Sequence, residues 1–212
     1  MKNYIAFFSV LLVLTSCKNE LTFEEQTFLK STTTPCKVNC PEVSVIIPFA
    51  KDLPIVADSI NKKVFSVVKN IIYFGEKPYN DTNYNGIISS FITSYENLKK
   101  KFPEDTFGWE AKIDGSVKYQ SDSILNIEIK HYTFTGGAHG YQGLKSLLFN
   151  PKTGKSIERK LLFKDENVFK AFAEKTFRIK YNIPENQAIN STGLQFEDEV
   201  FQLPLNVFFT EN

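Results

Sequence analysis

Between residues 43 and 149 the apolar spacing runs from strand to helix and back to strand, and that order leaves few folds open. Val43-Ser44-Val45-Ile46-Ile47 is a short β-branched run between Pro41 and Pro48 and reads as a strand. Val56, Ile60, Val64, Val67 and Ile71 then recur at helical spacing, which lays one face of a helix on a core. A glycine- and asparagine-rich loop follows from Gly75 to Gly86. Ile88, Phe91, Ile92, Tyr95, Leu98 and Phe102 mark a second amphipathic helix, stopped by Pro103. The period then shortens. Trp109–Tyr119 alternates imperfectly, Ile124–His131 alternates clearly, and Leu144–Phe149 is apolar up to the turn Asn150-Pro151-Lys152-Thr153-Gly154. These read as three consecutive antiparallel strands. A third helix is expected from the N-cap Asp165, with Val168, Phe169, Phe172, Ala173 and Thr176 on one side. After Pro184 come a polar loop and two short apolar pieces, Phe201–Leu203 and Leu205–Phe209. The expected class is α+β, an antiparallel sheet packed against two or three amphipathic helices.

The N-terminus carries a different signal. After Lys2, an apolar run from Tyr4 to Leu14 has signal-peptide length and is too short to span a bilayer, which takes roughly 20 residues. It ends in Leu14-Thr15-Ser16-Cys17, an aliphatic residue, two small ones and a cysteine, followed by polar Lys18-Asn19-Glu20. This is a lipobox pattern: the Cys17 thiol takes a diglyceride, and cleavage before it frees an amine for further acylation. Residues 1–16 are therefore expected to be a lipoprotein signal peptide and 17–35 an acylated cysteine with a polar tether. Residues 36–106 and 107–212 form the two regions beyond it. The membrane is an expected partner through the anchor, in a cell envelope facing the periplasm or exposed on the outer membrane.

Cleavage leaves 196 of the 212 residues, enough for one large domain or two packed small ones. With 42% hydrophobic and 23% charged residues the composition is globular. The 25 basic and 24 acidic residues nearly cancel, which excludes the basic excess of a nucleic-acid partner. Cys36 and Cys40 flank Lys37-Val38-Asn39. In an oxidising compartment they read as a local disulfide. The alternative, a metal site, needs two further ligands from a chain whose histidines are His131 and His139.

Phe134-Thr135-Gly136-Gly137-Ala138-His139-Gly140 lies between two expected strands. Its glycines permit positive φ and close backbone approach. One reading is a tight connection with His139 exposed or bonded to a carbonyl. The other is a ligand loop in which backbone N–H groups of Gly136, Gly137, Ala138 and Gly140 grip an anion or sugar and His139 adds a titratable contact. A concave pocket at His139 supports the second reading; an imidazole tied to backbone in a flat turn supports the first.

The segments Tyr132–Gly140, Phe149–Lys155, Ile183–Asn186 and Phe201–Pro204 resemble the exported-domain family DUF3298. Cys36–Cys40 with the following strand and helix is similar to DUF4163 domains, so the resemblance spans about residues 36–209. It implies a mixed α/β fold without established catalytic residues. Its relatives include the lysozyme-sensing extracytoplasmic part of an anti-sigma factor and the non-catalytic N-terminal region of a peptidoglycan deacetylase. The deacetylase's metal-dependent domain has no counterpart in these motifs. Similar members usually continue with a tyrosine-rich strand region, whereas this chain stops at Thr210-Glu211-Asn212. Missing strands would leave an open sheet edge.

The expected function is a non-enzymatic envelope lipoprotein that binds or senses a peptidoglycan-type glycan or a lysozyme-like protein, with no cofactor, metal or catalytic residue. Two alternatives stand beside it. One is a polysaccharide hydrolase using His139, for which Asp114, Asp122 and Glu128 are weak carboxylate candidates. The other is a structural or assembly lipoprotein, which an exposed apolar patch of several hundred Å² would favour.

Overall fold

The computed structural model describes residues 20–32, 36, 40–104 and 107–211. Its centre is a five-stranded sheet in the order β1-β2-β3-β4-β5. The strands are β1 (Thr22–Ser31), β2 (Glu42–Lys51), β3 (Glu110–Gln120), β4 (Leu125–Phe134) and β5 (Tyr141–Phe149). β3, β4 and β5 pair antiparallel, as their alternation predicts. β2 and β3 run parallel, with Val45 opposite Ile113. The reason lies between them: helices α1 (Pro54–Ile72) and α2 (Tyr84–Lys101) carry the chain back to the starting end before β3 begins. A parallel pair needs such a crossover. The class is thus α+β with a mostly antiparallel sheet.

α1 starts with Pro54 in its first turn and buries Val56, Ile60, Val64, Val68 and Ile72. The buried stripe stays on four-residue spacing, so Val67 and Ile71 lie at its edge rather than at its centre. α2 is capped by Asn83, whose side chain accepts from Gly86 N at 2.8 Å. It presents Ile87, Ile88, Phe91 and Ile92 to the core. Both helices cover the sheet face formed by Val43, Val45, Ile47, Ala111, Ile113, Leu125, Ile127 and Ile129. Trp109, just before β3, closes one end against Phe74, Phe91 and Tyr95.

One expectation is corrected. Residues 17–35 do not serve throughout as a tether: Thr22–Ser31 is an edge strand, paired with β2 from Thr22↔Lys51 to Ser31↔Glu42. An edge strand needs little apolar surface, and charges such as Glu24, Glu25 and Lys30 discourage pairing with other chains. Phe28 supplies the inward contact, stacking on Tyr84 at 4.8 Å. The anchor residue Cys17 and the signal peptide lie outside the described residues. One sheet and one core run across the regions 36–106 and 107–212.

Asp165 caps α3 (Glu166–Lys180) as expected, accepting from Asn167 N and Val168 N. This helix does not lie on the main core. Phe169, Ala173 and Phe177 pack instead on a second cluster of Ile183, Ile189, Phe201 and Leu203. The apolar pieces near the C-terminus are irregular rather than strands. Leu203 and Pro204 carbonyls accept from Arg159, and residues 206–209 cross β4 and β5 through Asn206, Val207 and Phe209. The β5 edge is therefore partly covered: Ser146 N donates to Asn206 Oδ1 at 2.9 Å.

Cys36 and Cys40 form a disulfide with Cα atoms 5.6 Å apart. It closes a small loop immediately before β2, so it sets how the chain enters the sheet.

Candidate ligand-binding site

The Gly136–Gly140 segment forms the exposed turn from β4 to β5. Gly136 and Gly137 hold φ of +105° and +92°, backbone that side-chain-bearing residues rarely adopt. At Gly140 a Cβ would fall 2.4 Å from the Tyr132 ring. The glycines are thus accounted for by the path of the turn. Ala138 and His139 are exposed, and His139 Nδ1 lies 3.1 Å from the carbonyl oxygen of Gly140. This is an imidazole tied to backbone in a turn. The four main clefts among the described residues are lined by other residues than these five.

His131 sits differently. It is only 6% exposed, on the helix-facing side of β4, opposite Ile113 and Gly143. A Cβ on Gly143 would fall 2.5 Å from His131 Nε2, so the glycine makes room for the ring. Neither ring nitrogen has a hydrogen-bond partner among the described residues. Burial, helped by the charge of Lys145, pushes the imidazole pKa down. His131 is therefore neutral in the folded state at pH values where the unfolded chain already takes a proton. Stability should fall as pH drops through the ordinary histidine range near 6.5 toward the lower folded value. Replacing His131→Leu should remove that component and leave stability at pH 7.5 equal or higher, because an unpaired buried polar group is lost. Urea unfolding midpoints of both proteins at pH 7.5 and 5.5 check this; an unchanged pH difference would count against it.

The hydrolase candidates do not converge. Asp122 lies in the turn before β4 and His139 in the turn after it, so the length of β4 separates them, about 30 Å at strand rise. Asp114 is exposed on β3. Glu128 is taken up by Lys118 at 3.5 Å and Lys130 at 3.7 Å. No three His, Cys, Asp or Glu side chains among the described residues are placed to hold a metal ion.

The concave feature suited to a ligand lies elsewhere, where the end of β2 meets the starts of α1 and α2. It is an open cleft of about 620 Å³. Phe49, Ala57, Phe65 and Tyr84 contribute apolar walls, and Lys51, Asp52, Asp58 and Lys62 stand among its polar lining. Its frame is fixed by side-chain bonds to backbone. Asn61 Oδ1 accepts from Ala50 N at 2.9 Å, and Asn61 Nδ2 donates to Ala50 O at 3.0 Å, which clamps β2 to α1. The Thr22 hydroxyl donates to Asp52, whose φ of +70° makes the sharp turn into α1. Phe65 meets Tyr84 edge-on at 5.1 Å. Burial pushes the Tyr84 phenol pKa up, and its hydroxyl makes no hydrogen bond among the described residues. A volume within the usual small-ligand range, aromatic walls and a few placed polar groups make this cleft the candidate site. Sequence reasoning missed it because its lining comes from separate segments, each of which reads as ordinary core or turn.

The class these features define is an α+β domain with a mostly antiparallel sheet and a cleft at the β2–α1–α2 junction. The profile of the family described as Deacetylase PdaC matches residues 34–142. The chain belongs to that family. A crystal structure of a DUF3298 family member from Bacteroides fragilis has the same fold at 18% identity. That match has a TM-score of 0.59 and covers 83% of this chain and 76% of that one. A DUF3298 family protein from Pseudomonas aeruginosa matches at 19% identity and TM-score 0.53, over 82% of this chain and 75% of its own. No curated protein matches the chain.

Proposed function

We propose that this chain is a non-enzymatic cell-envelope lipoprotein whose cleft at the β2–α1–α2 junction binds a peptidoglycan-type glycan fragment. The observation that carries the reading is the cleft itself. Its aromatic walls suit the apolar C–H faces of sugar rings, and its charged rim suits the hydroxyl, amide and peptide groups around them. Size supports the first of the two expected ligands at this cleft. A volume of about 620 Å³ fits a fragment of a few units, whereas a lysozyme-like partner needs roughly 800 Å² of surface on each side. The family name refers to a deacetylase, but hydrolytic metal chemistry typically uses three protein ligands, and the residues described here assemble no such set.

Anchoring at Cys17 belongs to the same proposal. With β1 beginning at Thr22 and Leu21 buried, a lipid on Cys17 lies five residues from the sheet, at most about 17 Å of extended chain. The leash is short, and the domain rides close to the membrane.

Titration calorimetry of the full chain with soluble muropeptides and, separately, with lysozyme tests the reading. Saturable muropeptide binding, without release of acetate or new reducing ends, is the expected result. Turnover, or no binding to either ligand, overturns it.

A further inference from the structure

Helix α3 presents an outward line that its own cluster leaves uncovered. Val168, Phe172, Lys175 and Ile179 follow one another at three- and four-residue intervals and so share one helix face, and Lys164, just before the cap Asp165, lines the same shallow groove as Val168 and Phe172. All five are exposed, and Val168, Phe172 and Ile179 are 67%, 66% and 70% exposed. The apolar residues that α3 packs against its own cluster, Phe169, Ala173 and Phe177, are half-buried on the adjacent face. The charges are sorted as well. Glu166 is paired with Arg159 at 2.7 Å and Glu174 with Arg178 at 2.9 Å, while Asp165 caps the helix. Lys164 and Lys175 form no ion pair among the described residues, and no acidic residue stands on the line.

We propose that this face of α3 docks on an anionic lipid surface. Large exposed apolar side chains interleaved with unpaired lysines suit the boundary between headgroups and acyl chains. A second copy of the chain suits the face less well. Three apolar side chains fall short of the roughly 800 Å² per partner of a stable interface, and self-packing brings lysines toward lysines. The inference rests on the proposed anchoring at Cys17, and the start of β1 shares one end of the sheet with the chain that leads to α3. Leu125 stands opposite Gln120 and Phe149 at one end of the sheet, and Gln120 Nε2 donates to the carbonyl of Leu21, just before β1, at that end. The chain leaves toward α3 from that same end, where Ile157 N donates to Leu148 O. The docking face is independent of what occupies the cleft.

The test uses the full chain with Cys17→Ala and a single environment-sensitive fluorophore on Ala171→Cys, beside the line on α3. A control carries the fluorophore on Asn70→Cys, an exposed position of α1. Vesicles of phosphatidylglycerol should shift the emission at 171 to the blue and leave that at 70 unchanged, and phosphatidylcholine vesicles should do neither. Phe172→Asp, and separately Lys164→Glu with Lys175→Glu, should each raise the half-saturating lipid concentration about tenfold or more. Equal shifts at positions 171 and 70, indifference to both variants, or self-association without a lipid response would each overturn the proposal.

Discussion

Replacing Trp109→Ala should cost the fold about 3–5 kcal/mol, the largest loss expected of any single truncation here. Trp109 is fully buried and is the only tryptophan in the chain. Its ring meets Phe74 at 4.2 Å, Phe91 at 5.4 Å and Tyr95 at 5.8 Å. Those neighbours belong to α2 and to the segment after α1, so the indole joins both helices to the start of β3. Its carbonyl also accepts from Glu42 N at 2.9 Å, where the parallel pairing of β2 and β3 begins. Neither helix can move into the vacated space without leaving the sheet, so the cavity collapses only in part. Urea unfolding followed by far-UV circular dichroism reads the change in midpoint. In the parent, tryptophan emission follows this one junction, and its transition should coincide with the circular dichroism transition.

Asn126→Leu should cost about 2–3 kcal/mol, through unsatisfied partners rather than lost volume. Asn126 is fully buried on the sheet face opposite the two helices. Its amide donates to Ser146 Oγ at 2.8 Å, and its oxygen accepts from Phe209 N at 2.8 Å. Ser146 in turn holds Val207 O and Asn206 Oδ1. Leucine has the right size but leaves the Phe209 N–H and the Ser146 hydroxyl without this partner. The loss should be accompanied by faster amide exchange at Phe209 and quicker proteolysis within 205–211, with the β3–β4 hairpin still protected. Uniform loss of protection would show that the C-terminal segment is not held locally by Asn126.

The parts legible in the sequence were those whose apolar pattern has one strong period. Val56 to Ile71 and Ile88 to Phe102 declare their helices, and Ile124 to His131 declares β4, because each carries one strong apolar period. β1 escaped for the opposite reason. Phe23, Gln26 and Phe28 stand among charged residues, as suits an edge strand, and nothing in that pattern separates it from a polar linker. The parallel β2–β3 pairing is a consequence of the paired helices between them, which single strands do not announce. His139 was legible as part of a glycine turn, and a turn is where it lies. The cleft was not legible, since Phe49, Asp58, Phe65 and Tyr84 become neighbours only when Asn61 clamps β2 to α1. The lone apolar line on α3 had the periodicity of a core helix, and only the fold shows which half of that surface is covered.

The central claim is that ligand enters the cleft rather than the glycine turn, and one comparison decides it. Asp58 lies on the cleft rim, paired with Lys62 at 2.7 Å, and both side chains are exposed, so Asp58→Trp fills the opening without disturbing the core. In muropeptide titrations of the full chain, Asp58→Trp should weaken binding by tenfold or more, about 1.4 kcal/mol, while His139→Ala leaves it within twofold of the parent. Binding lost with His139→Ala and retained with Asp58→Trp would contradict the account and return the site to the Gly136–Gly140 turn.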